Sequence, residues 1–395
     1  MGNIRARLKK YPLAYACHRL LKKNLIHFMK FRLRFFSGNV KNTELPDIQE
    51  ANRILNDLRH EPQNAMDFKT CEIDETVDLT IIIPVYNSER FLDACLKSVA
   101  DQLSEYNVNV ICVDDGSNDS SPEILDKYLA NDKFIIVHQK NMGHSGARNT
   151  ALSKRLGKHL MFIDSDDFIC EGYIKKMLDS AYRSNADIVQ GGFKKCNVDS
   201  TVLDTIKCKD AIIDSYDVLE TFGGAPWGRV YRTNLWDGIC YPTNMMFEDT
   251  IVFNLIFRRA KRVVGVSDTY YMYRVYGNNT LDKLQGDPRL LDAVWCVKYV
   301  YNVGKRMGLE SSEDYYAFFL GQCSKHVYYR IKHFDVRVQE ACFVVLCDII
   351  NEFRNGRKHF SNSKDMVNCE LENAFIEKNF TKWKLCSEIL KNTSG

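Results

Sequence analysis

A chain of 395 residues is too long for one small domain and suits two or three. Its 45% hydrophobic and 27% charged residues describe an ordinary globular protein, and a net charge of +3 is too small to argue for nucleic acid. The 14 cysteines include no C-x-x-C pair and no Cys/His cluster with zinc spacing, so the expectation is free thiols in a reducing cytoplasm. No run approaches the ~20 apolar residues needed to span a bilayer. The most apolar stretch, Ala341 to Ile350, is interrupted by Asp348. The N-terminus carries no apolar stretch of the kind that leads a protein to secretion.

The opening segment, residues 1–45, differs from the rest. It has no Asp or Glu before Glu44, and its basic residues, from Arg5 to Lys41, are interleaved with Leu, Ile and Phe. That is the composition of a basic amphipathic helix lying on an anionic membrane surface, so residues 1–43 are expected to attach the protein to the cytoplasmic face of a membrane. Residues 46–78 read as a short helix, Asp47 to Arg59, and a polar connection.

Regular alternation begins at Leu79. LTIIIPV is a buried strand; VNVICV (Val108 to Val113), FIIVH (Phe134 to His138) and HLMFI (His159 to Ile163) are three more, with a short strand at Asp187 to Val189. Helical periodicity fills the gaps: Glu89 to Leu103, Ser121 to Leu129, His144 to Leu156 and Glu171 to Arg183. The pattern predicts an α/β fold, a mostly parallel Rossmann-like sheet with helices on both faces, over residues 79–275. Residues 276–395 read as a C-terminal helical region, with helices at Leu290 to Met307, Tyr315 to Ile331, Val336 to Phe353 and Leu371 to Leu390.

Ligands of open α/β sheets bind beyond the carboxyl ends of the strands. Here one strand ends in Pro84-Val85-Tyr86-Asn87, the next in Asp114-Asp115-Gly116-Ser117, and another in Asp164-Ser165-Asp166-Asp167. Carboxylates gathered on one edge repel one another unless a cation or hydrogen-bond donors sit among them. Asp-x-Asp suits Mn²⁺ or Mg²⁺, which prefer oxygen and are often held by one or two carboxylates plus substrate phosphates. Neither G-x-x-x-x-G-K-S/T nor G-x-G-x-x-G is present, so a metal would carry most of the phosphate charge.

IIIPVYN, VDDGSNDSS, NMGHSGARN, FIDSDD, APWGRVYR, FEDTIVF and YYMYR, in this order from Leu79 to Arg274, resemble the family 2 glycosyltransferases. The resemblance implies a GT-A fold, a nucleotide-sugar donor, usually a UDP-sugar, and a divalent metal. It implies that Pro84, Tyr86 and Asn87 line the base and that Asp115 accepts from the pyrimidine N–H. Asn141 and Arg148 would lie beside the base. Asp164, with Ser165 after it, would stand on the ribose side of the metal motif. Asp166 would ligate the metal, with Asp167 an open alternative because DSDD allows two alignments. Glu248-Asp249 would be the catalytic pair, Asp249 acting as general base at the start of a helix over Thr250 to Ala260. Trp227 and Arg229 would form the acceptor side. The partners implied are a nucleotide sugar and a carbohydrate or lipid-linked acceptor, with no nucleic acid. The competing readings are a non-catalytic membrane-associated scaffold and a sugar-phosphate nucleotidyltransferase. The second would need a Gly-rich loop with a Lys where Asn87-Ser88-Glu89-Arg90 stands.

Overall fold

β-Branched and apolar residues with no polar face make a strand that is buried on both sides. LTIIIPV forms such a strand, β1 (Leu79–Val85), and every residue in it is buried. It pairs in parallel with β2 (Val108–Asp114) on one side and β4 (His159–Phe162) on the other, and β2 pairs in parallel with β3 (Phe134–His138). The computed structural model describes residues 28–31, 33, 44–62, 72–213, 224–276, 284–309, 312–354 and 366–393. The chain divides into two compact units, Pro62–Lys283 with Asn302–Met307, and Met1–Glu61 with Leu284–Tyr301 and Gly308–Gly395.

In the first unit the sheet continues beyond β4 with changed direction. The remaining strands are β5 (Phe168–Ile169), β6 (Ile188–Cys196), β7 (Val202–Ile206), β8 (Ala211–Ile212), β9 (Arg229–Arg232) and β10 (Val263–Arg274). Among the described residues the order is β3-β2-β1-β4-β9-β6-β10-β5, with β7 beside β6 and β8 beside β10. β9 runs antiparallel to both β4 and β6, while β6 and β10 are parallel. The sheet is thus parallel on the β3 side and mixed on the other. The strand expected at Asp187 to Val189 runs on to Cys196, its apolar pattern hidden by Gly191, Gly192 and two lysines. β10 was hidden by a register shift between Gly265 and Tyr270, where Asp268 turns through φ +47°.

Helices cover the sheet on both faces. Leu92–Ala100 and Tyr173–Ser184 bury Leu92, Leu96, Val99, Ile174 and Met177 against Leu79, Ile81, Ile83 and Val110. On the opposite face Phe162 sits among Tyr231, Trp236 and Tyr241, its ring 5.0 Å from that of Trp236. Helix Gly143–Leu152 packs on β1 and β2.

The second unit is helical. Helix Ile48–Leu58 starts at Asp47, whose carboxylate accepts from Glu50 N at 2.8 Å, and packs on Val336–Arg354. Tyr301, Tyr315, Tyr316 and Phe319 each bring a ring within 6 Å of Phe353. The helix expected over Leu371 to Leu390 is two helices, Met366–Ile376 and Phe380–Thr393, because Lys378 turns through φ +50° between them. The expected Tyr315 to Ile331 helix forms from Glu313 onward with a π turn at Gln322–His326. No described helix is long and apolar enough to cross a membrane. Of residues 1–43, only 28–31 and 33 are described; Met29 and Leu33 are buried there, Phe28 and Phe31 exposed. The membrane expectation otherwise lies outside the described residues.

Candidate active site

Because β1, β2 and β4 are parallel, their carboxyl ends share one edge. Beyond it opens a cleft of about 460 Å³ whose lining includes Pro84, Tyr86, Asn87, Asp115, Asp164, Ser165 and Asp166. The lining also includes Arg90, His144 and Tyr276, which the motifs did not single out.

Local hydrogen bonds fix the ends of β1 and β2 together. Asn87 adopts φ +48°, a region that asparagine tolerates, and this aims its backbone N–H at Ser117 Oγ, 3.0 Å away. Its side-chain Oδ1 accepts from Asn118 N at 2.8 Å. Asp115 is buried, and its Oδ1 accepts from Met142 N at 2.8 Å and Gln139 Nε2 at 2.7 Å. Two fixed donors hold that carboxylate at the cleft wall. Asn141 does not line the cleft; it is exposed, and its Oδ1 accepts from Gly143 N at 3.2 Å.

The DSDD turn separates its acids. Asp164 and Asp166 face the cleft, and Ser165 Oγ lies 2.7 Å from Ser88 Oγ. Asp167 points the other way, fully buried, where its two oxygens accept from Tyr271 Oη at 2.8 Å and Arg274 N at 2.7 Å. Tyr271 Oη in turn accepts from Asp164 N at 3.0 Å. The expectation that Asp167 might ligate the metal is therefore corrected: both its oxygens are committed to the core. Asp166 is the second cleft-facing acid of the turn.

Arg148 is also not where the motif placed it. It is 2% exposed and is not among the residues lining the cleft. Its Nη2 donates to Asp164 Oδ1 at 3.0 Å, while Nη1 reaches Glu248 Oε1 at 3.4 Å and Asp249 Oδ1 at 3.5 Å. The guanidinium also lies over the Tyr241 ring, 5.2 Å from its centroid. One buried cation thus joins the Asp-x-Asp turn to the Glu-Asp pair. Burial first, then the charge of Glu248, push Asp249 well above the usual carboxylate range; Arg148 pulls it back. The pair does open a helical stretch, as expected, with Ile251 N and Val252 N donating to the carbonyls of Glu248 and Asp249. That stretch contains a π turn at Val252–Ile256. Phe247, immediately before the pair, adopts φ +67°. A bulky residue there costs about 1–3 kcal/mol, strain of a kind that clusters at functional sites.

Of the two expected acceptor-side residues, Arg229 is turned inward and Trp227 is half-buried. Arg229 is fully buried on β9, donating to Gln190 Oε1 at 2.5 Å and to the carbonyl of Ala225. Its charge lies between the Phe253 and Phe257 rings, 5.6 and 5.2 Å away. As placed it cannot touch an acceptor. Trp227 stacks on Tyr271 at 4.6 Å and on Tyr273 at 5.2 Å. Tyr273 and Tyr276 line the cleft and are not among the residues expected there, while Tyr271 is buried.

The donor set fits a hard divalent cation. Asp164 and Asp166 offer oxygen only, and burial, with Asp164 adding its charge, raises Asp166 above the ordinary carboxylate range. Such an acid-rich strand end favours a cation. Among the described residues no three acidic, His or Cys side chains converge into a cage.

Residues 80–237 match the family described as Glycosyl transferase family 2. Over those residues the chain is similar to this family. The chain is 26% identical over 212 residues to glycosyltransferase GlyA of Streptococcus pneumoniae, a match that covers 50% of this chain and 30% of that protein. It is 30% identical over 204 residues to the poly(ribitol-phosphate) beta-glucosyltransferase of Bacillus spizizenii, covering 50% of this chain and 32% of that protein. The chain thus spans only part of the length of these curated relatives. The structure of S. aureus TarS 1–349 in complex with UDP superposes with a TM-score of 0.57 at 18% identity, covering 79% of this chain and 90% of that one. That likeness carries the GT-A fold.

The opposed orientations of Asp166 and Asp167 generate a test. Asp166→Ala should leave the thermal midpoint unchanged and abolish Mn²⁺-dependent UDP binding in calorimetry. Asp167→Ala strands the Tyr271 hydroxyl and the Arg274 N–H, so it should destabilise the fold by roughly 3 kcal/mol in urea titration. Equal stability of the two variants would contradict the assignment.

Proposed function

We propose that the chain is an inverting, metal-dependent glycosyltransferase. It moves a sugar from a nucleotide-diphosphate donor, a UDP-sugar, to an acceptor hydroxyl during polysaccharide or glycolipid synthesis. The observation that carries this reading is the Arg148 bridge, which sets the Glu248-Asp249 pair beside the Asp164 end of the cleft. A single displacement requires a base on the acceptor side of the anomeric carbon, across from the departing diphosphate, and the Glu248-Asp249 pair supports that role from its place near Asp164.

In this reading Asp115 accepts from the uracil N–H with the oxygen that Met142 and Gln139 leave open, and Tyr86, 41% exposed at the cleft, packs on the base. Asp164 and Asp166 hold the divalent cation, which would offset the charge of the departing diphosphate. Asp249 takes the acceptor proton as the new bond forms, and Arg148 keeps its carboxylate in place. Glu248 orients the acceptor and raises the basicity of Asp249. The names of two relatives, a poly(ribitol-phosphate) beta-glucosyltransferase and a cholesterol galactosyltransferase, support a polymeric or a lipid acceptor. Residues 1–43 hold the enzyme on an anionic cytoplasmic membrane face, each basic residue contributing about 1 kcal/mol.

Asp249→Asn should bind UDP and metal normally while kcat falls by about 10²- to 10⁴-fold. Asp249 works only when ionised, and its raised pKa means that kcat should decline as pH falls from neutrality rather than near pH 4. Glu248→Gln removes the like charge, so that decline should move to lower pH. An unchanged pH profile in Glu248→Gln, or near wild-type turnover in Asp249→Asn, would refute the assignment.

UDP should bind more tightly than GDP. GDP binding tenfold tighter than UDP, a difference of about 1.4 kcal/mol, would defeat the uracil reading.

The full chain should sediment with phosphatidylserine vesicles at low salt and be partly released at high salt. A variant lacking residues 1–43 should stay in the supernatant with UDP binding intact. Failure of the full chain to sediment would end the membrane proposal.

A further inference from the structure

The carboxylate of Asp166 has one described side-chain partner. Tyr276 Oη donates to Asp166 Oδ2 at 2.6 Å. The backbone of Asp166 is fixed separately, its carbonyl accepting from Arg274 Nη1 at 2.5 Å. The two contacts do different work: Arg274 holds the turn, and Tyr276 sets the direction of the acid. Tyr276 itself is half exposed, and its ring is seated 5.2 Å from that of Phe91, which the Arg274 guanidinium covers at 4.9 Å. The hydroxyl therefore reaches the cleft from a ring whose position is supported on the protein side. Nothing in the core depends on that hydroxyl, in contrast to Tyr271, whose Oη is buried and bonded to both Asp164 and Asp167.

We propose that Tyr276 is a positioning residue for the metal: its hydroxyl, seated on Phe91, holds the Asp166 carboxylate toward the cleft in the ligating orientation. This rests on the reading of Asp164 and Asp166 as the metal's ligands. A carboxylate oxygen can accept a hydrogen bond and ligate a cation at once, and partners of this kind orient ligands; losing one typically weakens metal binding about 10- to 100-fold. Without the phenol, the Asp166 side chain is free to turn about its χ angles, and the cation must order it on binding. The cost falls on metal affinity and, through the metal, on the diphosphate.

The test is Tyr276→Phe, which keeps the ring on Phe91 and removes only the hydroxyl. Mn²⁺ alone is titrated into the full chain by calorimetry, with no nucleotide present, beside wild type and Asp166→Ala. Tyr276→Phe should weaken Mn²⁺ binding tenfold or more, with the thermal midpoint unchanged and nucleotide affinity without metal unchanged. Mn²⁺ affinity equal to or tighter than wild type in Tyr276→Phe would overturn the inference. Wild-type Mn²⁺ binding by Asp166→Ala would instead overturn the metal reading on which it stands, so the two failures are told apart.

Discussion

Arg148 carries its charge at 2% exposure, a placement that the protein interior disfavours unless the charge is paired. Three carboxylates pair it: Asp164 from the end of β4, and Glu248 and Asp249 from the loop after Phe247. Glu248 lies 100 positions from Arg148 and Asp164 only 16, and the fork of a guanidinium is what lets one side chain serve both. A lysine would offer a single point charge and could not bridge them in the same way. The loop that carries the proposed base thus takes its position from the helix Gly143–Leu152, and so from β1 and β2 beneath it.

A second layer locks the Asp-x-Asp turn from below. Asp167, buried under the turn, accepts from Tyr271 and from the backbone of Arg274, both on β10. Tyr271 also takes the N–H of Asp164 and stacks flat on Trp227, the planes 8° apart. With the Arg274 guanidinium donating to the Asp166 carbonyl, the Asp-x-Asp turn is therefore tied to β10 by four hydrogen bonds in addition to its own strand. This explains why DSDD carries a third acid: the first and third positions face the cleft, and the fourth anchors them. Burial, followed by the charges of Asp164 and Asp166, raises the pKa of Asp167, so its two donors are needed to keep it in place.

The parallel half of the sheet was legible in sequence because its strands are unbroken apolar runs, and the cleft-facing residues from Pro84 to Asp166 were legible because they follow those runs directly. The mixed half was not. β6 contains two glycines and two lysines, and β10 is interrupted at Asp268, so neither shows a clean period of two. Motif position also misplaced three cations and acids. Arg148, Arg229 and Asp167 each stand next to a site residue in sequence, but helix or strand geometry turns them inward, and sequence adjacency carries no information about which face a side chain takes. Tyr276 lay beyond the recognised motif, and its link to Asp166 crosses 110 positions.

The inward turn of Arg229 has a consequence for the base proposed above. Burial and Glu248 raise the pKa of Asp249, while Arg148 and Arg229 lower it. A carboxylate with an ordinary pKa is ionised at neutral pH but is a weak base; one raised without limit is a strong base that is seldom ionised. The useful position lies between, and it requires cations near Asp249 that are not themselves consumed by substrate. Arg229 is held by Gln190 and Ala225 and enclosed by two phenylalanine rings, so its charge stays in place whether or not an acceptor is bound. Arg148 is held in the same way by Asp164 and Tyr241. An arginine that touched the acceptor would change its own solvation with each substrate and shift the base with it. Keeping both guanidiniums in the core makes the basicity of Asp249 a property of the fold, and leaves recognition of the acceptor to other residues.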